Sequence, residues 1–204
     1  MKRTSREVLT QRIVLGFTLF AAFLGCGRQA AESPVAGANP GGAFLNARLR
    51  GAIDADLAWS GAELQSEGGA RPDRSGIRVS LAGPLQTGGQ RIRLVFGMAA
   101  PPGAASNRVV PTNVTLIVEG AGRVFATLGD DKCSVDALLQ RPVAAAASPR
   151  APRAAGDYWV IARGFCIEPA STLTGSERVL LSRFDFRGRI HLDDIDLAAH
   201  ANAT

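Results

Sequence analysis

Cysteine, histidine among carboxylates, and arginine in a repeated pattern are the residues of this chain that could carry chemistry. The cysteines number three, at Cys26, Cys133 and Cys166. An odd count leaves one outside any pairing. Cys26 follows an uncharged apolar run, "IVLGFTLFAAFLG", whereas Cys133 and Cys166 lie in strand-like segments. A reactive thiol needs a neighbour that lowers its pKa, and a structural zinc needs a full set of nitrogen or sulfur ligands. No CxxC is present and the histidines number two, so Cys133 and Cys166 are expected to be bridged. Closing a loop of about 34 residues would stabilise the fold by roughly 3–4 kcal/mol, by removing entropy from the unfolded chain.

Tyr158, His191, Asp193 and Asp194 form the one constellation that mixes titratable types. A histidine beside a carboxylate can act as a base whose ring is held by an orienting partner. Such a base needs a nucleophile, and no Ser or Cys stands in the Gly-rich elbow that would expose one. His191 is therefore read as a surface histidine, and no catalytic residue is assigned. Two acidic clusters, Asp130 with Asp131 and Asp193, Asp194 with Asp196, lack the oxygen count and closing Glu of a calcium loop. The "GDDK" run reads as a turn, since Gly and Asp favour turns. No metal and no cofactor is expected.

Arg48, Arg50, Arg78, Arg91, Arg93, Arg183 and Arg187 fall on the polar phase of alternating segments. On one shared sheet face they would form a basic binding surface. Its partner would be an envelope protein, or an anionic glycan or lipid, because guanidinium pairs bidentately with carboxylate and phosphate. The competing reading is a solvated face with arginine in place of lysine. Lys2 and Lys132 are the only lysines.

The elements that must position these residues alternate with period two from Phe44 onward. "LNARLRG", "GIRVSLAG" and "QRIRLVFGM" each put apolar residues on one side and Arg on the other. "TNVTLIVEG" and "GRVFATLG" have the β-branched content of strands. "CSVDALLQ" places Cys133, Val135, Ala137 and Leu139 on one face. "DYWVIARGFCIEP" is apolar on both faces and reads as a central strand. "ERVLLSRFDFRGRIHL" alternates Phe184 and Phe186 with Arg183, Asp185 and Arg187, and Gly188 is read as a bulge or turn. Trp59, Trp159, Phe96, Phe165, Phe184 and Phe186 are read as core.

The expectation is all-β: an antiparallel sandwich, or small barrel, of about eight or nine strands, with the two cysteine-bearing strands adjacent. The domain would span residues 44–192. Within it, residues 141–156, "RPVAAAASPRAPRAAG", read as a low-complexity loop, and residues 193–204 as a frayed tail.

The whole chain has 204 residues and a net charge of +5. Lys2, Arg3, Arg6 and Arg12, against Glu7 alone, precede Cys26. Taking those four from 23 basic residues and that one from 18 acidic ones leaves 19 and 17, a net of +2. A domain near +2 does not argue for nucleic acid, and no nucleic-acid motif is present.

The polar, basic residues 1–12 followed by an apolar run too short to span a bilayer have the layout of an export signal. Phe23-Leu24-Gly25-Cys26 resembles the lipobox of a bacterial lipoprotein precursor, with Phe23 where Leu is usual and Leu24 where a small residue is usual. The resemblance covers only about the first thirty residues. It implies a diacylated Cys26, cleavage between Gly25 and Cys26, and a mature chain held by lipid. Two or more acyl chains hold a protein stably on a membrane. Gly27, rather than Asp, after the cysteine implies the outer membrane, with the domain facing the periplasm. Residues 26–43, rich in Gly, Pro and Ala, would be the tether. Two other outcomes remain open from the residues: cleavage after Gly27 to a soluble secreted protein, and no cleavage.

The leading functional expectation is a non-enzymatic envelope lipoprotein with a binding or structural role. Another is an inhibitor of a cell-wall enzyme, acting through the 141–156 loop or the "TLGDDKC" turn. A third, disfavoured by the missing triad, is an envelope hydrolase.

Overall fold

The computed structural model describes residues 41–86, 88–143 and 155–201. Eleven strands form one antiparallel sheet. In chain order they are β1 (Phe44–Gly51), β2 (Ala55–Ser60), β3 (Gln65–Ala70), β4 (Ile77–Pro84), β5 (Arg91–Met98) and β6 (Val110–Val118). Then follow β7 (Arg123–Ala126), β8 (Cys133–Pro142), β9 (Gly156–Cys166), β10 (Ala170–Thr172) and β11 (Arg178–Leu192).

The strands that the alternation did not show are β2, β3 and β10, and the register places two pairs of strands in shared rows. Val179 of β11 pairs with Gly51 of β1 on one edge and Ala170 of β10 on the other, and Phe184 pairs with both Ala47 and Gly164. β9 and β10 therefore share the same edge of β11 and behave as one interrupted row. Thr115 of β6 pairs with both Val95 and Ala126, and Thr112 with both Met98 and Cys133, so β7 and β8 form a second interrupted row. The sheet thus runs β2, β1, β11, β9 with β10, β8 with β7, β6, β5, β4, β3.

The sheet curls until its two halves pack across one core. Leu45, Leu49, Phe184 and Phe186 face Val79, Leu81, Leu94 and Phe96, all essentially without solvent contact. The ring of Phe96 lies 4.8 Å from Phe184 and 4.6 Å from Phe186. Trp59 Nε1 donates to the Pro84 carbonyl at 2.9 Å, tying β2 to the end of β4. The curl stops short of a closed barrel: β2 and β3 remain the unpaired ends of the ladder. β3 meets the end of β11 through Ser66, whose Oγ accepts from the Arg189 N–H at 2.7 Å. The architecture is the sandwich-like alternative of the two foreseen.

Three local expectations change. Gly188 is neither bulge nor turn; it pairs regularly with Val160 inside β11. A Cβ there would lie 2.5 Å from Val79 Cγ1, so the glycine permits the two layers to approach. Arg141, Pro142 and Gly156, read as loop, belong to β8 and β9; residues 144–154 lie outside the described residues. The tail forms a helix, α1 (Asp194–Ala201). Asp193 Oδ1 accepts from the Asp196 N–H at 2.8 Å, and Asp196 Oδ2 accepts from the Asp193 N–H at 3.2 Å. This reciprocal cap, with acids at the positive end of the helix, is what the acidic cluster does.

Cys133 and Cys166 face each other across β8 and β9 and are joined in a disulfide. Replacing both with Ser is expected to lower stability by roughly 3–4 kcal/mol. Unfolding in denaturant checks this; a midpoint unchanged from wild type would show that the bridge contributes nothing. Gly188→Ala is expected to cost about 1–3 kcal/mol by overpacking against Val79, read in the same assay.

Candidate functional site

The site begins with a single extra residue. Val135 of β8 pairs with Gly164 and Ala137 pairs with Arg163, so Asp136 has no partner opposite it. Such a bulge reverses the side-chain phase of whatever follows. Cys133 and Val135 point into the core as foreseen, but beyond Asp136 the buried positions are Leu138 and Gln140. Ala137 and Leu139, assigned by alternation to the same face as the cysteines, are on the outer face instead.

The outer face can be read in ladder rows. One row crosses β1, β11, β9 and β8 as Asn46, Asp185, Arg163 and Ala137. The next is Phe44, Arg187, Ile161 and Leu139, and the third is Arg189, Trp159 and Arg141. A cleft of about 720 Å³ opens over the first two rows. Phe44, Leu139 and Ile161 supply its apolar lining, while Asp136, Arg163 and Asp185 supply its charge. A cleft of this size with an apolar lining and a few convergent polar groups is the usual form of a ligand site.

One wall comes from Ala105, Ser106 and Asn107. This loop runs along the edge of β8 that β6 has left, and the Ser106 N–H donates to the Leu138 carbonyl at 3.1 Å. Gln140 holds the loop from beneath. Its Oε1 accepts from the Gly103 N–H at 2.8 Å, and its Nε2 donates to the carbonyls of Pro101 and Ala104 at 2.9 and 2.7 Å. A buried glutamine bonded in this way rigidifies its surroundings, because leaving any of its groups unpaired would be costly.

The charged groups of the cleft act on one another through space. Among the described residues, Asp136, Arg163 and Asp185 make no hydrogen bond or ion pair. By contrast, Arg48 and Arg50 both pair with Asp56, and Arg93 is held by Glu67, Glu119 and Ser80. Burial pushes the Asp185 carboxyl up from its ordinary value, and nearby Asp136 adds to the rise. Arg163 and Arg183 oppose it.

The seven arginines do not share one face. Arg48, Arg50, Arg183 and Arg187 lie on the outer side of β1 and β11; Arg78, Arg91 and Arg93 lie on the outer side of β4 and β5, across the core. Arg187 stacks on Trp159, 4.3 Å from the ring centroid. Trp159 is thus half-buried on the outer face rather than in the core, and Phe165 is 42% exposed; Trp59, Phe96, Phe184 and Phe186 are core.

The histidine constellation is also rearranged. Tyr158 is buried in the core, and His191 sits across from Asp157, with Nδ1 3.0 Å from Oδ1. Arg189 and then His191, as hydrogen-bond partners, hold the Asp157 carboxyl below its ordinary value. Asp130 binds Arg71 and Asn113, and Asp131 binds Lys132, so the "GDDK" turn is closed by ion pairs. Among the described residues, no group of three or more His, Cys, Asp or Glu is placed to hold a metal ion.

Arg163, Asp136 and Asp185 as a group, and Gln140, were not legible in the sequence. The available signal was "VDALLQ", where an acid and two successive leucines break the alternation. Compared with known protein families, curated proteins and solved structures, the chain matches none.

A carboxyl with a higher pKa in the folded than in the unfolded state favours folding when protonated. Its cost appears as pH rises through the window between about 3.9, the unfolded value, and the higher folded one. Asp185→Asn is therefore expected to melt at or above the wild-type temperature at pH 7. The gap should close as pH falls below the unfolded value. A variant clearly less stable at pH 7 would show that the carboxylate makes a stabilising contact.

Proposed function

We propose that this protein is a bacterial envelope lipoprotein, lipid-anchored through Cys26, whose β-sandwich domain has a non-enzymatic binding role served by the cleft beside Asp136. One observation carries the anchoring part. With Cys133 and Cys166 joined, Cys26 is the sole cysteine left, and it stands directly after Gly25 at the end of the apolar run. A disulfide joining two core strands suits an oxidising compartment, which supports export. Lipid on Cys26 and the tether to residue 43 would hold the domain off the outer membrane, facing the periplasm.

The binding part is supported by the cleft's apolar lining and by the charged groups of both signs that converge on it. The non-enzymatic part is supported by the histidine geometry. The constellation read from the sequence does not assemble, since Tyr158 is in the core while His191 is exposed on the strand surface beside Asp157. No observation favours the inhibitor reading over this one.

The test is the intact mass of the mature protein from membrane and soluble fractions, beside Cys26→Ser. Wild type is expected in the membrane fraction, beginning at Cys26 with added acyl mass. The variant is expected to lose that mass and to remain uncut at Gly25. A soluble, unlipidated wild type beginning after Gly27 would overturn the anchor.

A further inference from the structure

We propose that the domain docks on the bilayer that holds its anchor, with the row of Arg189, Trp159 and Arg141 against the lipid phosphates. Arg187 completes this surface. Its partner is the phosphodiester headgroup at the edge of a hydrocarbon layer. The inference rests on reading Cys26 as the lipid anchor, and it names the face of the domain that the anchor brings to the membrane.

β1 fixes where the tether meets the domain. Phe44 pairs with Arg187, and in an antiparallel ladder a step back along β1 is a step forward along β11. The chain from Cys26 therefore joins the sheet beside Arg189, whose row continues into Trp159 and Arg141. Positions 27 to 43 separate the anchor from β1. A Gly-rich chain of that length has an end-to-end distance of about 20–25 Å. Docking of this face is thus an intramolecular step at high effective concentration, and a weak surface suffices.

The chemistry of the row fits that partner. Trp159 is half-buried on the outer face, and the Arg187 guanidinium lies 4.3 Å from its ring centroid. Arg141 and Arg189 are exposed on either side of it. Tryptophan favours the boundary between water and hydrocarbon, and guanidinium binds phosphate oxygens bidentately. Val143 and Ile195, just beyond the ends of β8 and β11, add exposed apolar side chains at the same end. Acids stand here too. Asp157 is bound by Arg189 and His191, and Asp193 and Asp196 close the start of α1, with Asp194 between them. Charge so nearly balanced does not suit a partner held by charge alone, such as a polyanion. Guanidinium donors set around an indole, with apolar side chains beside them, match a phosphate layer over hydrocarbon.

The test uses the mature protein purified from membranes and reconstituted in vesicles of phosphatidylethanolamine and phosphatidylglycerol. A spin label on the lipid headgroup quenches any tryptophan within its reach. Trp59 is in the core, so Trp159→Phe gives the background. Quenching of Trp159 is expected. It should fall by about half or more in the double variant Arg141→Gln with Arg189→Gln. A melting curve checks that this variant is folded; should it melt early, Arg141→Gln alone is read in its place. Ile167→Trp, placed in the Trp159→Phe background, reports the far end of β9, about 25 Å along the strand, and is expected to stay unquenched. Unquenched Trp159 in vesicle-bound protein overturns this inference alone. So does equal quenching at both ends, the mark of a domain free to turn on its tether. Quenching unchanged in the arginine variants overturns it as well, since the tether alone then explains the proximity. Protein that lacks acyl mass and does not float with the vesicles overturns the anchor and this inference together.

Discussion

The contact of Phe96 with Phe184 and Phe186 is the constraint on which the rest of the molecule depends. A sheet of this width would expose one apolar face if it stayed open. Stacking β5 on β11 puts three rings within 4.6 to 6.1 Å of one another and removes both halves of that face from water. Burial of aromatic side chains of this kind contributes roughly 1.5–3 kcal/mol each. Gly188 belongs to the same constraint, because a side chain there would hold β11 away from Val79 and Leu81.

Once the layers meet, the two interrupted rows become intelligible. β7 and β8 must both pair with β6, and β9 and β10 with β11, while the chain turns the side of the sandwich. The segments between them, 127–132 and 167–169, are irregular. The disulfide bridges the rows just where β8 and β9 begin to pair. Beyond it β8 parts from β6, and the edge thus freed is taken by the Ser106 loop and Gln140. The cleft sits where regular pairing ends, and there a bulge can re-aim side chains without breaking the core.

Charge follows the same division. Elsewhere on the surface many basic side chains are matched with nearby acids, as Arg50 is with Asp54 and Asp56. Exposed pairs of this kind add little stability. They do, however, match Arg48, Arg50, Arg91 and Arg93, four of the seven arginines that suggested a basic face, with acids. The groups that line the cleft are instead of mixed sign, with Asp136 and Asp185 beside Arg163.

The strand character of the chain and the cysteine pairing were legible in the residues themselves. Each depends on local pattern: side chains alternating with period two, and an even cysteine pair once Cys26 is set apart. The face occupied by Ala137 and Leu139, the partner of His191 and the grouping of Asp136, Arg163 and Asp185 were not. Alternation assigns a face only while the register is unbroken, and one unpaired residue at Asp136 reverses it. The pairing of Asp157 with His191, and of Asp185 with Arg163, joins positions far apart in sequence that become neighbours only through β-ladder register. Local periodicity determined which segments become strands. The long-range hydrogen-bonded register, which no local pattern encodes, decided which side chains share a site.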